Sequence, residues 1–393
     1  MQIYSPQRLA AIGFIFICTS VAWVILGNTI SLRTGDLSER LKPRVVSTWG
    51  SPQEQRPPVA HPAGGQANIE LPLEASDIKV DLALEHRQNG HIWYSTYQAG
   101  FDGVWTFHNS SGDARSIVFS LPFPARKALL EGVTLELNGN AMPVQTDGLG
   151  VFAEAQLSGQ ESARFRVAYR SRGLGSWRYK LSDQIGQARN FRMTMNTNFA
   201  DVDFPNDTLS PTSSTQTAAG RQLAWNYSNL ISGFAIGMTM PDKLQPGPLA
   251  GAISYFAPVS LLLFFFVMLV ITMLRGIDLH PMNYFFLACS FFAFHLLLAY
   301  LVDHISIHAA FAICSVVSVG LVVSYLRIVV GPRFAIMEAG LAMILYLVLF
   351  SYTFFLKGFT ALTVTVGCVV TLFLVMQLTA RIRWSERFVP RPA

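Results

Sequence analysis

The chain reads as a polytopic α-helical membrane protein of about six spans. One is an N-terminal anchor and five lie at the C-terminal end, with an all-β, sandwich-like domain inserted between them. Three observations carry that reading. Half of the residues are hydrophobic (51%), only 13% are charged and mean hydropathy is +0.36, a balance that ordinary soluble domains do not reach. The apolar residues fall in two blocks, 9–30 and 249–380, and the polar middle between them is long enough for one substantial core. Within the second block, residues 282–302 hold no Asp, Glu, Lys or Arg, which is the length a helix needs to cross ~30 Å of hydrocarbon.

The remaining composition narrows the class. Cys18, Cys289, Cys314 and Cys368 all fall in the apolar blocks. A disulfide-stapled exterior is therefore excluded, while a bacterial periplasmic location is not. The formal charge of +5 comes largely from arginines at span ends, so it reports topology and no nucleic-acid partner is expected.

Residues 1–30 form the N-terminal membrane anchor, with the first span at 9–30. It is longer than the apolar core of a signal peptide and lacks a small-x-small cleavage site after it, so it reads as a retained anchor. Arg8 precedes it, and Arg33, Arg40, Lys42 and Arg44 follow, partly balanced by Asp36 and Glu39. Taken locally, these charges put the wrong side inside, but the rule weakens beside a long translocated domain. Residues 31–68 read as a linker: 36–44 extend the anchor as a short helix, and 51–66 are rich in Pro and Gly.

Residues 69–248 change to period two. Ile78, Val80, Leu82 and Leu84 alternate with polar or small neighbours, as a half-buried strand requires. Similar runs follow at 104–107, 117–121, 133–137, 165–169, 176–181, 191–195 and 222–227, about eight or more strands. Asn138-Gly139 suits a hairpin turn, and Asp147-Gly148, Gly173 and Gly175 mark others. No long amphipathic helix separates the strands, so antiparallel sheets are expected. The loop 198–220 carries Asp201, Asp203 and Asp207, which invite a calcium reading. It lacks the glycine and terminal glutamate of the common calcium loop, and a connection pinned by Phe199 and Phe204 is the expectation.

After Pro246-Gly247-Pro248 the chain re-enters the bilayer, with spans at 253–274, 282–302, 307–326, 334–356 and 359–380 forming a five-helix bundle over 249–380. Arg275, Arg327, Arg333, Arg381, Arg383, Arg387 and Arg391 fall on one side of these spans. Asp303, His304 and Lys357 border the other. This asymmetry predicts both termini in the cytoplasm, a basic cytoplasmic tail at 381–393, and the β-domain in the periplasm of a Gram-negative cell.

The motifs in this region resemble the inner membrane CreD family. They are Tyr255-Phe256, Leu279-His280-Pro281-Met282-Asn283-Tyr284, His295-Leu296-Leu297-Leu298 and Asp303-His304-Ile305. In that family a span opens with I/L-H-P-x-Q/N-Y and ends with an acidic-His-Ile motif, where Asp303 stands in for the usual Glu. Ser47-Thr48-Trp49-Gly50-Ser51-Pro52-Gln53 is similar to the family's S-x-W-G-x-P-Q segment, and Ile382-Arg383-Trp384 to its basic ending. The outer domain looks shorter than usual and departs from the family pattern over much of 69–196. The resemblance implies a bacterial inner-membrane protein linked to envelope integrity, tolerance to E-type colicins and a two-component response to cell-wall stress. It brings no catalytic residues and no cofactor.

Several polar residues are candidates for a role. His295 lies in the middle of a span, where an interhelical hydrogen bond to Ser315, Ser318 or Tyr346 is expected, with a proton relay as the sharper reading. Asp303, His304 and His308 would face one metal if the following helix began early enough, although no fourth ligand is evident. Glu338 lies about a turn inside its span, with Arg333 or Arg327 as the expected partner. His280-Pro281 and Asn283 fix the start of their span, and Trp384 and Phe388 among the terminal arginines fit an interfacial segment on anionic lipid. No phosphate-cradling loop, nucleophile elbow or zinc-hydrolase motif occurs. The leading expectation is a protein that is not an enzyme, whose partners are the bilayer and another envelope protein reached through the β-domain. The competing expectations are a membrane-embedded hydrolase built on Asp303, His304 and His308, and a small-solute transporter using His295 and Glu338.

Overall fold

The computed structural model describes residues 6–64, 70–90, 92–181, 186–356 and 358–380. The chain forms two compact units, one built from its two ends (up to Ser38 and from Leu244 on) and one from Glu39–Lys243. Lys357 and the basic tail at 381–393, to which topology readings were attached above, lie outside the described residues.

Among the described residues six helices are long and apolar enough to cross a membrane: α1 (Pro6–Trp49), which begins in the first unit and ends in the second, and α2 (Pro246–Arg275), α3 (Pro281–Leu301), α4 (Ile307–Val329), α5 (Phe334–Phe355) and α6 (Thr360–Thr379), all in the first. Their ends follow ordinary capping chemistry. Prolines open α2 and α3, where a missing N–H costs nothing. Gly276 closes α2 in the left-handed conformation, its N–H returning to the Met273 carbonyl. Ser306 Oγ caps α4 by accepting the Ala309 N–H at 3.4 Å. α5 is wound as a π-helix over Phe334–Gly340 and Ile344–Leu349.

The bundle core is aromatic. Phe264 of α2 meets Phe291 of α3 at 4.7 Å, and Phe294 of α3 meets Phe311 of α4 edge-on at 5.5 Å. α1 brings Trp23, Leu26 and Ile30 to the same core. Its approach to α2 depends on glycine. A Cβ at Gly27 would sit 2.7 Å from the Tyr255 ring, and one at Gly247 would sit 2.5 Å from Thr34 Oγ1, so small residues let the two backbones close, as membrane helices commonly do.

Among the described residues the second unit has three sheets. The largest has the order β13 (Ser213–Gln216), β14 (Arg221–Ser232), β12 (Gly186–Thr197), β3 (Leu73–Asn89), β4 (Ile92–His108), β10 (Ser162–Leu174), β6 (Leu130–Leu137), β7 (Asn140–Met142). A second joins β2 (Val59–Pro62), β5 (Arg115–Pro122), β9 (Gly150–Leu157) and β8 (Gln145–Thr146). The third joins β1 (Gln53–Gln55), β11 (Ser176–Lys180) and β15 (Ala235–Thr239). Their inward faces share one core that includes Trp105, Trp177, Trp225, Phe165 and Tyr179. Phe101 stacks on Tyr169 at 4.9 Å and Phe119 on Phe165 at 5.4 Å. Burial holds the Tyr97, Tyr169 and Tyr179 phenols above their ordinary range.

Two expectations are corrected here. The sheets are mixed: β12 pairs with β3, and β1 with β11, in parallel. The lack of connecting helices constrains only strands adjacent in sequence, and β4 to β11 lie between β3 and β12. The segment 31–68 is also more than a linker. α1 continues to Trp49 past Pro43, and β1 and β2 follow. β1 is polar yet buried, because its side chains replace water with protein partners. Gln53 accepts from Ser171 Oγ at 2.9 Å and donates to the Arg172 carbonyl at 2.9 Å, and Gln55 accepts from the Tyr169 hydroxyl at 2.6 Å. The Trp-Gly-x-Pro-Gln segment thus has a structural reason. Trp49 lies under the Arg87 guanidinium at 3.4 Å, and Gly50 (φ +96°) has no room for a Cβ beside the Arg172 carbonyl.

The segment 198–220, expected as one long loop, is a packed connection that includes a strand, β13, paired antiparallel with β14. Phe199, Val202, Phe204 and Leu209 lie on the core, Asp203 and Thr208 bridge to β15, and the Leu209 carbonyl accepts the Trp225 indole N–H at 3.0 Å. Because Phe165 is fully buried between Trp105 and Phe119, Phe165→Ala should destabilise the β-unit by about 3–5 kcal/mol. Denaturant unfolding followed by tryptophan fluorescence checks this, and a loss below about 1 kcal/mol would contradict that core.

Candidate functional site

The motif residues gather at the two ends of α3. At its start, His280 is the N-cap, with Nδ1 accepting the Met282 N–H at 3.2 Å, and Pro281 is buried at the first helical position. Asn283 Oδ1 accepts the Tyr325 hydroxyl at 2.7 Å and so ties α3 to α4. Tyr284 is buried, edge-on to Phe265 of α2 at 5.3 Å. At the same end an ion pair joins Arg8 of α1 to Asp278 in the α2–α3 turn.

At the far end Asp303 pairs with Arg33 of α1 at 3.1 Å. The same guanidinium donates to the Ala299 carbonyl at 2.8 Å and lies 5.5 Å from the Tyr300 ring centre. Both ion pairs therefore fasten α1 to the ends of α3. Arg8 and Arg33 are separated by 25 positions, as are Asp278 and Asp303, about 38 Å of helix at 1.5 Å per residue. That distance covers a hydrocarbon core together with part of both interfaces.

The structure does not bring Asp303, His304 and His308 together. α4 begins only at Ile307, which leaves His304 in the turn before it. Asp303 is directed to Arg33, and the His308 ring lies 5.2 Å from Phe355. Among the described residues no group of three or more His, Cys, Asp or Glu side chains could hold a metal ion. His295 is buried, but its partner is not on a neighbouring span. Its Nδ1 donates to the Phe291 carbonyl one turn back at 2.8 Å, and its ring meets Trp23 edge-on at 5.4 Å and Phe294 at 5.0 Å. Ser315 and Tyr346 spend their hydroxyls elsewhere, on the Phe311 carbonyl and Thr371 Oγ1. A ring whose donor can reach its own helix needs no cross-helix bond. Glu338 pairs with Arg275 of α2 and not with Arg333 or Arg327, and its Oε2 is buried without a hydrogen-bond partner.

The sequence reading missed Arg8, Arg33, Arg275, Trp23 and Tyr325 as partners. A signal existed: two arginines flanking the first span repeat the spacing of two aspartates flanking the third. Each pair is partly exposed, so it sets register more than it adds strength, contributing up to about 1 kcal/mol. Accordingly, Asp303→Arg should lower the stability of the detergent-solubilised protein, and adding Arg33→Asp should restore it. A thermal-unfolding double-mutant cycle measures this, with an expected coupling of about 0.5–1 kcal/mol.

Among solved structures, a Legionella pneumophila protein described as nutrient binding aligns with 55% of this chain and 76% of its own, at 13% identity and a TM-score of 0.38. An M1 zinc metallopeptidase from Deinococcus radiodurans aligns with 43% of this chain and 42% of its own, at 12% identity and a TM-score of 0.29. These scores lie below that of a shared global fold. No curated protein matches the sequence. Residues 250–385, which include all of the α3 motif, match the model of the CreD family, described as inner membrane protein CreD.

Proposed function

We propose that the chain is an envelope-integrity protein of the inner membrane that acts by binding and not by catalysis. The helical bundle holds its β-domain in the periplasm, and both termini are cytoplasmic. The observation that carries this reading is the family match together with the way α3's polar ends are used. Each motif position whose partner is described is engaged in capping, packing or pairing, the use expected of residues that hold a bundle together.

Charge and parity support the orientation. With six spans, the α2–α3 and α4–α5 turns share a side with the N-terminus, and Arg8, Arg275, Arg327 and Arg333 all lie there. Arg33 lies toward the other side and is matched by Asp303. An excess of short-loop arginine marks the cytoplasmic face.

Two measurements test this function. An alkaline phosphatase fusion in the Asp147-Gly148 turn should be active while one after Ala393 should be inactive; equal activity would overturn the topology. Deleting the gene should raise sensitivity to detergent, an E-type colicin or a β-lactam, and unchanged survival under all three would overturn the envelope role.

A further inference from the structure

The outer face of the eight-stranded sheet is a polar grid whose charges are unevenly spent. In its middle, Arg166 is saturated by Asp102 (2.8 Å) and Glu136 (3.3 Å), and Arg172 by Glu131 (3.0 Å). On the same face a trough of about 490 Å³ opens across the inner strands β14, β12, β3, β4 and β10, within the size range of small-molecule sites. Its arginines are less committed than Arg166 and Arg172: among the described residues Arg192 has one long contact, 4.0 Å to Asp77, and Arg164 makes no ion pair.

The trough is built by the backbone. β3 carries a bulge at Glu74, between Leu73 and Ala75, and bulges re-aim neighbouring side chains. Asn190, held at φ +44°, donates from Nδ2 to the Glu74 carbonyl at 3.2 Å and so fixes the bulge. The register then sets short side chains on the floor, Ala75 opposite Thr106 and Asp77 opposite Val104. Arg164 pairs with Thr106 on one side, and Arg192 pairs with Asp77 and Asn226 on the other. The two arginines are three strand spacings apart, roughly 14 Å.

We propose that this trough binds an acidic oligosaccharide about two sugar units long. A guanidinium with no internal partner recognises a carboxylate in two-point fashion. Thr106, Asn190 and Asn226 offer neutral donors and acceptors along the floor and rim, and Asp77 accepts from hydroxyls. The lining is too polar for an apolar ligand, and the floor is long enough for more than one ring. The source of such a ligand, a glycan of the cell envelope, rests on the proposed periplasmic placement. The chemistry of the site does not.

Calorimetric titration of the purified full-length protein in detergent at low salt tests the site whichever way the protein faces in the cell, so its outcome is separate from that of the fusion experiment. Digalacturonate should bind saturably, a neutral disaccharide and inorganic phosphate at least about tenfold more weakly. Arg164→Ala and Arg192→Ala should each weaken digalacturonate binding by about tenfold or more. Lys79→Ala, on the same face outside the trough, should leave it unchanged. No saturable binding, binding unaffected by Arg164→Ala, or phosphate binding as tightly as digalacturonate would each overturn the proposal.

Discussion

The bundle depends on the fit of the first helix against the second and third. Between residues 38 and 244 the chain leaves to build an independent unit, yet α1 must rejoin the helices made after it. It does so through close approach at Gly27 and Gly247 toward α2, through Trp23, Leu26 and Ile30 in the common core, and through the matched ion pairs at both ends of α3. Lipid offers no hydrophobic drive between helices, so shape and polar partners must supply the specificity. A span whose apolar window is only 11% buried would otherwise have little to hold it in register.

That constraint also explains why the polar residues of the spans carry so little free chemistry. His280, Asn283, Tyr284, His295 and Asp303 are each engaged by a cap, a ring or a charge. Polar groups in a bilayer are costly unless satisfied, and here satisfaction takes local forms. Trp23 Nε1, Ser318 Oγ and Glu338 Oε2 are exceptions among the described span residues, buried without a hydrogen-bond partner, the last of them within a π-helical stretch.

The sequence disclosed the spans well, because unbroken apolar length is a strong signal, and it disclosed the strands whose period-two alternation is strict, such as 78–84. It did not disclose β1, since Gln53 and Gln55 look like loop residues until their partners on β10 are known. Nor could it show that β12 lies parallel to β3, because that pairing is set by core packing over a long sequence separation and not by local pattern. At the site, the motif residues of α3 were visible and their partners were not. Choosing Arg275 over Arg327 for Glu338, or the Phe291 carbonyl over Ser315 for His295, requires helix positions that one-dimensional periodicity leaves undetermined.

The most direct measurement of the α1–α2 fit is a disulfide between Thr34→Cys and Gly247→Cys, made with the four native cysteines replaced and a protease site placed in the β-unit. A Cβ at position 247 lies 3.5 Å from that of Thr34, within the range a disulfide spans. Oxidation in native membranes should leave the two protease fragments joined until reductant is added. Fragments that separate without reductant, or that join only between different chains, would contradict a single bundle made from the two ends of one chain.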